Sequence, residues 1–135
     1  MAVILTNKKV RFDYHILESY QAGLSLSGAM VKLVRSGRVQ IVGNYVINQK
    51  GELFIIGFGN DSLRENIKLL LKKKEVGEIR GKILEKGLSC TVLNIKTVGR
   101  WLKAEIAIVK GKKNFDKRET IKKRDLDREE SRLEY

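Results

Sequence analysis

Hydrophobic and polar positions alternate in short runs over most of the first 115 residues, a pattern typical of β-strands. The first clear run, residues 9–14, places Val10, Phe12 and Tyr14 on one face and charged side chains on the other. A period of two residues predicts a strand here, with one face directed at a hydrophobic core.

Two further runs predict a β-hairpin. Residues 39–47, interrupted by a turn-like Gly43-Asn44, and residues 52–58 are both rich in β-forming side chains. Between them Gly51 follows a lysine, and glycine readily adopts the positive φ that tight hairpin turns require. We therefore expect the two runs to pair.

A second hairpin is predicted near the end of this region. Residues 91–98 and 100–110 are joined at Gly99, which again fits a tight turn. In the second of these strands Lys103 and Glu105 are expected to face outward. The expected inward set is Trp101, Leu102, Ala104, Ile106 and Ile108.

Two segments have helical spacing. Residues 28–36 are short and end before Gly37, and residues 72–86 end before Gly87; glycine is the usual residue just after a helix. The longer segment has one apolar face, formed by Val76, Ile79, Ile83 and Leu84.

The pattern as a whole predicts a mainly β protein. Five or six short strands with two or three short helices favour a small antiparallel OB-like barrel, because closure of a sheet removes its unpaired edges. A flexible C-terminal tail is expected to follow this barrel.

Charge changes this picture. The chain has 28 Lys and Arg against 16 Asp and Glu, a net charge of +12. A charge of this size repels itself and indicates a polyanionic partner. Nucleic acid is favoured over a membrane surface, because no strongly amphipathic basic helix and no run of about 20 apolar residues is present. We expect a soluble, cytoplasmic protein without a membrane partner.

The charge is unevenly distributed. Residues 116–135 contain seven basic and seven acidic residues, so the whole +12 belongs to residues 1–115. The last 20 residues contain too few apolar side chains to offset the entropy lost on ordering. Oppositely charged side chains one turn apart, such as Glu119 and Lys123, favour a helix once a partner is present. We predict an RNA-binding barrel over 1–115 and a charged tail over 116–135 that is disordered alone. The tail is either a solvated charged terminus or a segment that folds on contact with a partner.

Catalysis is not indicated. His15 is the only imidazole, and the acids of the predicted barrel are scattered singly, so no nucleophile with a base or acid–base pair can be assembled. With the single Cys90, no zinc-binding set of cysteines and histidines exists. We predict no enzyme activity, no metal and no cofactor.

Basic residues form four clusters on different predicted elements. If these converge on one face, they suit the phosphate backbone of a folded RNA. The aromatic residues mostly occupy positions expected in the core, which argues against extensive stacking on a single strand. The clusters are Asn7-Lys8-Lys9, Lys32 with Arg35 and Arg38, Lys68 with Lys72, Lys73 and Lys74, and Lys110-Gly111-Lys112-Lys113.

Five strings in order carry a family resemblance. They are NKKVRFDY (7–14), YQAGLSLSG (20–28), VK with the following arginine (31, 32 and 35), KLLL (68–71) and KGKKNFDKRE (110–119). Together they resemble the SmpB family, the SsrA-binding proteins of bacterial trans-translation. The resemblance extends from Asn7 to about Arg132.

The resemblance implies an OB-like barrel that binds the tRNA-like domain of tmRNA, one protein to one tmRNA, and accompanies it to stalled ribosomes. It also implies a tail that becomes helical on the ribosome, in the small-subunit decoding region and the mRNA channel. With the basic clusters, the RNA-binding set is Asn7, Lys8, Lys9, Gln21, Lys32, Arg35, Lys68, Leu70, Lys72 and Lys73. The ribosome-contacting tail set is Gly111, Lys112, Lys113, Asp116, Lys117, Arg118, Ile121, Lys122 and Arg124.

The chain departs from the family pattern at several of these positions. Gln21 stands where the family usually has a glutamate, and Met30 replaces a second one. An alternative function is a general RNA-binding or ribosome-associated OB-like protein that does not depend on tmRNA.

Overall fold

The computed structural model describes residues 2–111 of the chain. Ten helices and strands make up this part. The strands are β1 (Ala2–Thr6), β2 (Tyr14–Leu24), β3 (Val46–Gln49), β4 (Glu52–Gly59), β5 (Arg64–Leu70), β6 (Leu88–Val98) and β7 (Trp101–Gly111). The helices are α1 (Lys9–Asp13), α2 (Gly28–Arg35) and α3 (Lys73–Ile83).

All seven strands belong to one antiparallel sheet in the order β1-β6-β7-β2-β5-β4-β3. This confirms the mainly β prediction. The sheet is not closed into a barrel, because β1 pairs with residues 94–97 of β6 and occupies that part of its free edge. At the other end of the order, the chain just before β3 reaches β6 only through an isolated bridge between Tyr45 and Thr91.

Polar contacts reinforce this bridge. The Thr91 hydroxyl donates to the Asn44 carbonyl at 2.7 Å, and both residues are buried. The Asn44 side chain donates in turn to the carbonyls of Ile56 and Gly57 on β4, at 3.2 and 3.4 Å. We call Asn44 and Thr91 the Asn44 clasp. It connects β4 to β6 where a continuous ladder is missing.

The main core lies on the face of the sheet that packs against α2 and α3. Met30 and Val34 of α2 and Ile79 of α3 are fully buried there, together with Phe58 and Ile106 from the strands. A second, smaller cluster covers the opposite face of β6 and β7. It consists of Val10, Leu93, Ala107 and Val109, with Ile16 packed against it.

The second cluster explains the wrong prediction for residues 9–14. They form α1 and the first residue of β2, not a strand. Val10 is buried in the second cluster, Phe12 is half-buried and Tyr14 is exposed. Six residues are too few for a period of two to exclude a helical turn, and burial of one side chain against β6 and β7 decides the local conformation.

The two predicted hairpins are both present. In the first, Lys50 and Gly51 adopt φ angles of 53° and 84°, as a two-residue hairpin turn requires. Its first strand begins only at Val46, so the strand predicted from residue 39 is too long by seven residues. The second hairpin joins β6 to β7 and turns at Gly99, whose φ is 61°.

Two side chains were assigned to the wrong face. Trp101 begins β7 and is 72% exposed, whereas Leu102, Ala104, Ile106 and Ile108 are buried as predicted. Trp101 lies next to the turn, where the core no longer covers the strand. Leu84 is 84% exposed because α3 ends one residue earlier, at Ile83.

Helix α2 is fixed at both ends. The Ser27 hydroxyl accepts from the Met30 amide at 3.2 Å, as an N-cap. At the other end Gly37 donates to Val34 and Arg38 donates to the Leu33 carbonyl, the paired bonds of a Schellman motif. The last turn of α2, which presents Lys32 and Arg35, is therefore held in place.

None of the helices within residues 2–111 is long and apolar enough to cross a membrane.

The Asn44 clasp yields a stability prediction. Replacing Thr91→Val keeps the shape of the side chain but leaves the Asn44 carbonyl without its donor, which should lower the free energy of unfolding by about 1–2 kcal/mol. Urea unfolding measures the loss. The matched control is Thr6→Val, at an exposed position of β1. An equal effect of the two substitutions would show that the clasp contributes nothing.

Candidate nucleic-acid interface

Four of the predicted RNA-binding residues line one cleft. The lysine cleft lies between β2, β5 and the start of α3, has a volume of about 560 Å³ and also includes Lys103 of β7. Its predicted members are Gln21, Lys68, Leu70 and Lys72. Lys68 and Lys72 belong to one of the four predicted basic clusters, and Gln21 joins them from a distant segment of the chain. The four clusters as a whole do not converge on this cleft.

A second cleft adjoins it. The tryptophan cleft, of about 300 Å³, lies between α2 and the turn that joins β6 to β7, and Arg35, Arg100 and Trp101 line it. Gly23, Leu70 and Lys103 line both clefts. The two clefts are thus parts of one continuous surface.

Strand register brings this surface together. Gly23 of β2 pairs with Lys103 of β7 on one side and with Leu70 of β5 on the other. A Cβ at Gly23 would lie 3.2 Å from the Leu70 Cβ, tighter than nine in ten real Cβ contacts. Glycine at this position lets Leu70 lie beside Lys103 at the boundary of the two clefts.

Carboxylates partly balance the charge of the lysine cleft. Lys68 forms an ion pair with Glu52 across β4 and β5, at 3.1 Å between Nζ and Oε1. Glu75 accepts from the Lys72 backbone amide at 3.3 Å, which fixes the first turn of α3. Both members of the Lys68–Glu52 pair are about half exposed, so the pair is weak and an anionic ligand can compete for the lysine.

The remaining predicted residues near the N-terminus lie elsewhere. Asn7 and Lys9 line a third cleft of about 480 Å³, beside α1 and the start of β6. Asn7 is only 6% exposed, and its side-chain amide donates to the Val92 carbonyl at 3.2 Å. Its backbone amide donates to the Leu93 carbonyl at 2.8 Å. Asn7 therefore joins the end of β1 to β6.

Other predicted residues line none of the three clefts. Lys8, Lys32 and Lys73 are exposed, on or next to α1, α2 and α3. Gly111 is exposed and ends β7, beside Tyr14 at the start of β2. The other predicted tail residues, Lys112, Lys113, Asp116, Lys117, Arg118, Ile121, Lys122 and Arg124, lie outside the described residues.

Sequence reasoning missed several residues of this surface. Trp101 was assigned to the core, and Lys103 was expected to face outward but was not included in the binding set. Arg100 was also omitted. The position of Trp101 beside Gly99 was the available signal, since a strand residue next to a tight turn is often exposed. The place of Lys103 depends on its pairing with β2, which no local pattern reveals.

Two titratable groups within residues 2–111 have strongly raised pKa values. Burial raises the pKa of the Cys90 thiol to about 12, so this side chain stays protonated at neutral pH and is a poor nucleophile. Burial and hydrogen bonds to Glu18 and Glu78 raise the pKa of Tyr20, which keeps its hydroxyl protonated. Its single proton is shared between the Glu18 and Glu78 carboxylates, which lie 2.8 and 3.2 Å from the hydroxyl oxygen. Within residues 2–111, no three potential metal ligands converge.

Comparison with known proteins gives a consistent result. A family model described as SmpB protein matches residues 4–134. SsrA-binding proteins of Methylibium petroleiphilum and Burkholderia vietnamiensis are each 43% identical over 96% of this chain, covering 91% and 95% of the respective relatives. That of Leptothrix cholodnii is 40% identical over the same share of the chain and 92% of its own length.

A solved structure is also similar. One chain of a structure described as tmRNA-SmpB at the centre of the bacterial ribosome matches with a TM-score of 0.68 and 34% identity. The match covers 84% of this chain and 87% of that one.

The Lys68–Glu52 pair leads to a prediction about binding. Exchanging Glu52→Gln should strengthen binding of a folded RNA roughly two- to fivefold, because it frees Lys68 from a weak ion pair and removes a negative charge from the cleft. Filter binding at fixed salt measures this. Glu85→Gln is the matched control, since it makes the same charge change beside Lys82 on a surface outside the lysine cleft. An equal gain from both substitutions would contradict a local role for the cleft.

Proposed function

Because the chain belongs to the SmpB family, we propose that it is an SsrA-binding protein that binds tmRNA and delivers it to stalled ribosomes in trans-translation. The family consists of non-enzymatic RNA-binding proteins, in agreement with the prediction of no catalysis. The protein then acts by recognition and placement of an RNA.

The observation that carries this proposal is the continuous surface formed by the lysine and tryptophan clefts. It brings Gln21, Lys68, Leu70 and Lys72 together with Arg35, although these residues come from β2, β5, α2 and the position just before α3. Cations around an apolar floor suit the phosphates and exposed sugars of a folded RNA. We propose that this surface binds the tRNA-like domain of tmRNA.

The other predicted RNA-binding residues extend this surface in the proposal. Lys32 is one turn before Arg35 on α2, and Lys73 follows Lys72 at the start of α3. Lys8 and Lys9, with Asn7 as the anchor of their segment, form a second contact region. A tRNA-like fold is large enough to reach both regions.

We also propose that residues 1–115 act as an OB-like barrel. Support comes from the bridge between Tyr45 and Thr91, which links the chain before β3 to β6. The Asn44 clasp holds this part of the sheet together. In this interpretation the barrel is completed by side-chain contacts where the ladder is missing.

The tail has a separate role in the proposal. The described chain ends at Gly111, at the far end of β7 from Trp101. At roughly 3.3 Å per residue these two residues are about 33 Å apart along the strand. Strand β7 therefore separates Gly111 from the tryptophan cleft, and we propose that residues 116–135 become helical in the mRNA channel near the small-subunit decoding region.

Single copies of the protein and tmRNA form the complex in this proposal. One continuous basic surface supports a 1:1 complex with a monomeric protein. We also propose that this activity is cytoplasmic, because its proposed partner is the ribosome.

The test of tmRNA binding is a gel-shift titration with the tRNA-like domain and an unrelated hairpin of equal length. We expect tighter binding of the tRNA-like domain by roughly tenfold or more, about 1.4 kcal/mol. Lys68→Gln with Lys72→Gln should weaken binding and lower the salt dependence by about two phosphate contacts.

The matched control for the double substitution is Lys82→Gln with Lys86→Gln, which removes the same charge outside both clefts. Equal affinity for the two RNAs would sink the specific claim and favour the general RNA-binding alternative.

Deletion of residues 116–135 tests the role of the tail. The deleted segment has no net charge, so affinity for the tRNA-like domain should stay within about twofold of the full chain, while tagging of peptides on stalled ribosomes is lost. Reconstituted translation on a message without a stop codon provides the assay. Tagging at the full-length rate by the shortened protein would refute the assigned role.

A further inference from the structure

We propose that Trp101 is a stacking platform for an unpaired base of the bound RNA, with the adjoining phosphate held at Lys103. This inference rests on the proposed function and adds a contact to it. The platform is the indole ring at the start of β7, directly after the turn at Gly99 and Arg100. The ring is 72% exposed, which is unusual for the largest apolar side chain.

The surroundings of the ring match a nucleotide. Leu24, Leu26 and Val31 provide apolar walls of the tryptophan cleft, and its volume of about 300 Å³ is sufficient for a base. Bases stack on exposed aromatic rings largely independently of sequence. The cleft thus offers a face for the flat, apolar part of a nucleotide.

Charge at the same cleft matches the rest of the nucleotide. The cations Arg35, Arg100 and Lys103 line it, and among residues 2–111 no carboxylate does. The lysine cleft, in contrast, includes Glu52 and Glu75. A protein partner usually presents cations as well as acids, and its cations would need acids or hydrogen-bond acceptors in the cleft. A cleft lined by cations therefore favours RNA.

The register beside the platform points to a phosphate. Lys103 lies directly opposite Lys96 of β6, and like charges at opposed positions of neighbouring strands destabilise a sheet. Lys96 is only 7% exposed, so water screens its charge less than at an open surface. An anion bound at Lys103 relieves this repulsion. Trp101 lies two residues before Lys103 and therefore on the same face of β7.

The platform is held in place before RNA binds. The Arg35 guanidinium donates to the Arg100 carbonyl at 3.1 Å, which joins the last turn of α2 to the turn that precedes Trp101. That end of α2 is itself fixed by the Schellman bonds at Gly37. A preorganised ring loses little freedom on binding, so its stacking energy contributes to affinity.

The test uses Trp101 as its own probe, because the chain contains one tryptophan. Titration of the full-length protein with the tRNA-like domain of tmRNA should quench its fluorescence with the same dissociation constant as the gel shift. Trp101→Leu should weaken binding roughly 5- to 100-fold, whereas Trp101→Phe, which keeps a ring, should lose much less.

Salt dependence separates stacking from charge. Trp101→Leu should leave the salt slope unchanged, because no cation is removed, whereas Lys103→Gln should reduce it by about one. Leu84→Ala, which removes an exposed apolar side chain outside both clefts, is the control and should bind as the unsubstituted chain does. Circular dichroism checks that each variant is folded.

The outcomes distinguish this inference from the proposed function. If the unsubstituted protein does not prefer the tRNA-like domain, the proposed function fails. If it does, and Trp101→Leu binds equally well with no quenching in the unsubstituted chain, the stacking platform is overturned and the exposed ring belongs to a protein contact. Equal losses for Trp101→Leu and Trp101→Phe would also overturn it, since stacking needs only an aromatic face.

Discussion

The pairing of β2 with β7 is the constraint that positions the residues at both ends of these two strands. At one end of the ladder Gly23 lies opposite Lys103, and at the other Tyr14 lies opposite Gly111. A shift between Ile16 and Glu18 interrupts the register, so the alternation of faces on the two halves of β2 is not continuous. Because a slip of one residue exchanges the two faces of a strand, this register decides which side chains reach the clefts and where the chain leaves the sheet.

Hydrophobic clusters cover both faces of β6 and β7, and this burial lets the sheet carry many basic side chains. The main core packs on one face, and α1 with Val10 covers part of the other. Stability comes from this burial, so the basic side chains around the clefts contribute little to it and repel one another. The register places Lys96 opposite Lys103, and like charges at opposed positions of neighbouring strands generally destabilise a sheet. Such a pair is consistent with selection for binding a polyanion at the expense of stability.

Local signals predicted the parts of the fold that local chemistry decides. Gly51 and Gly99 mark both hairpins and Gly37 ends α2, because glycine adopts the φ angles these turns need. Tertiary contacts decide the rest. Residues 9–13 form α1 because Val10 is buried. The pairing of β1 with β6, and of β2 with β7 and β5, was not predicted because it joins segments that are distant in sequence.

The candidate site divides in the same way. Composition and the family strings identified Arg35, Lys68 and Lys72, which are exposed on their elements whatever the pairing. The place of Trp101 and Lys103 in the candidate site depends on the residues that the tertiary structure brings beside them. The alternating pattern predicted that the indole of Trp101 lies in the core, because an apolar residue in an alternating strand is usually buried. At a tight turn, however, the core does not extend over the first residue of the strand.

The two ends of β7 have different surroundings. Trp101 and Lys103 stand at its first end with the clefts, and Gly111 stands at its last, where residues 112–135 continue. Charge follows the same division, since residues 1–115 hold the net +12 and residues 116–135 hold none. Trp101 and Gly111 are about 33 Å apart along this strand. Contacts at one end therefore need not weaken those at the other, as a protein that links an RNA to a second large partner requires.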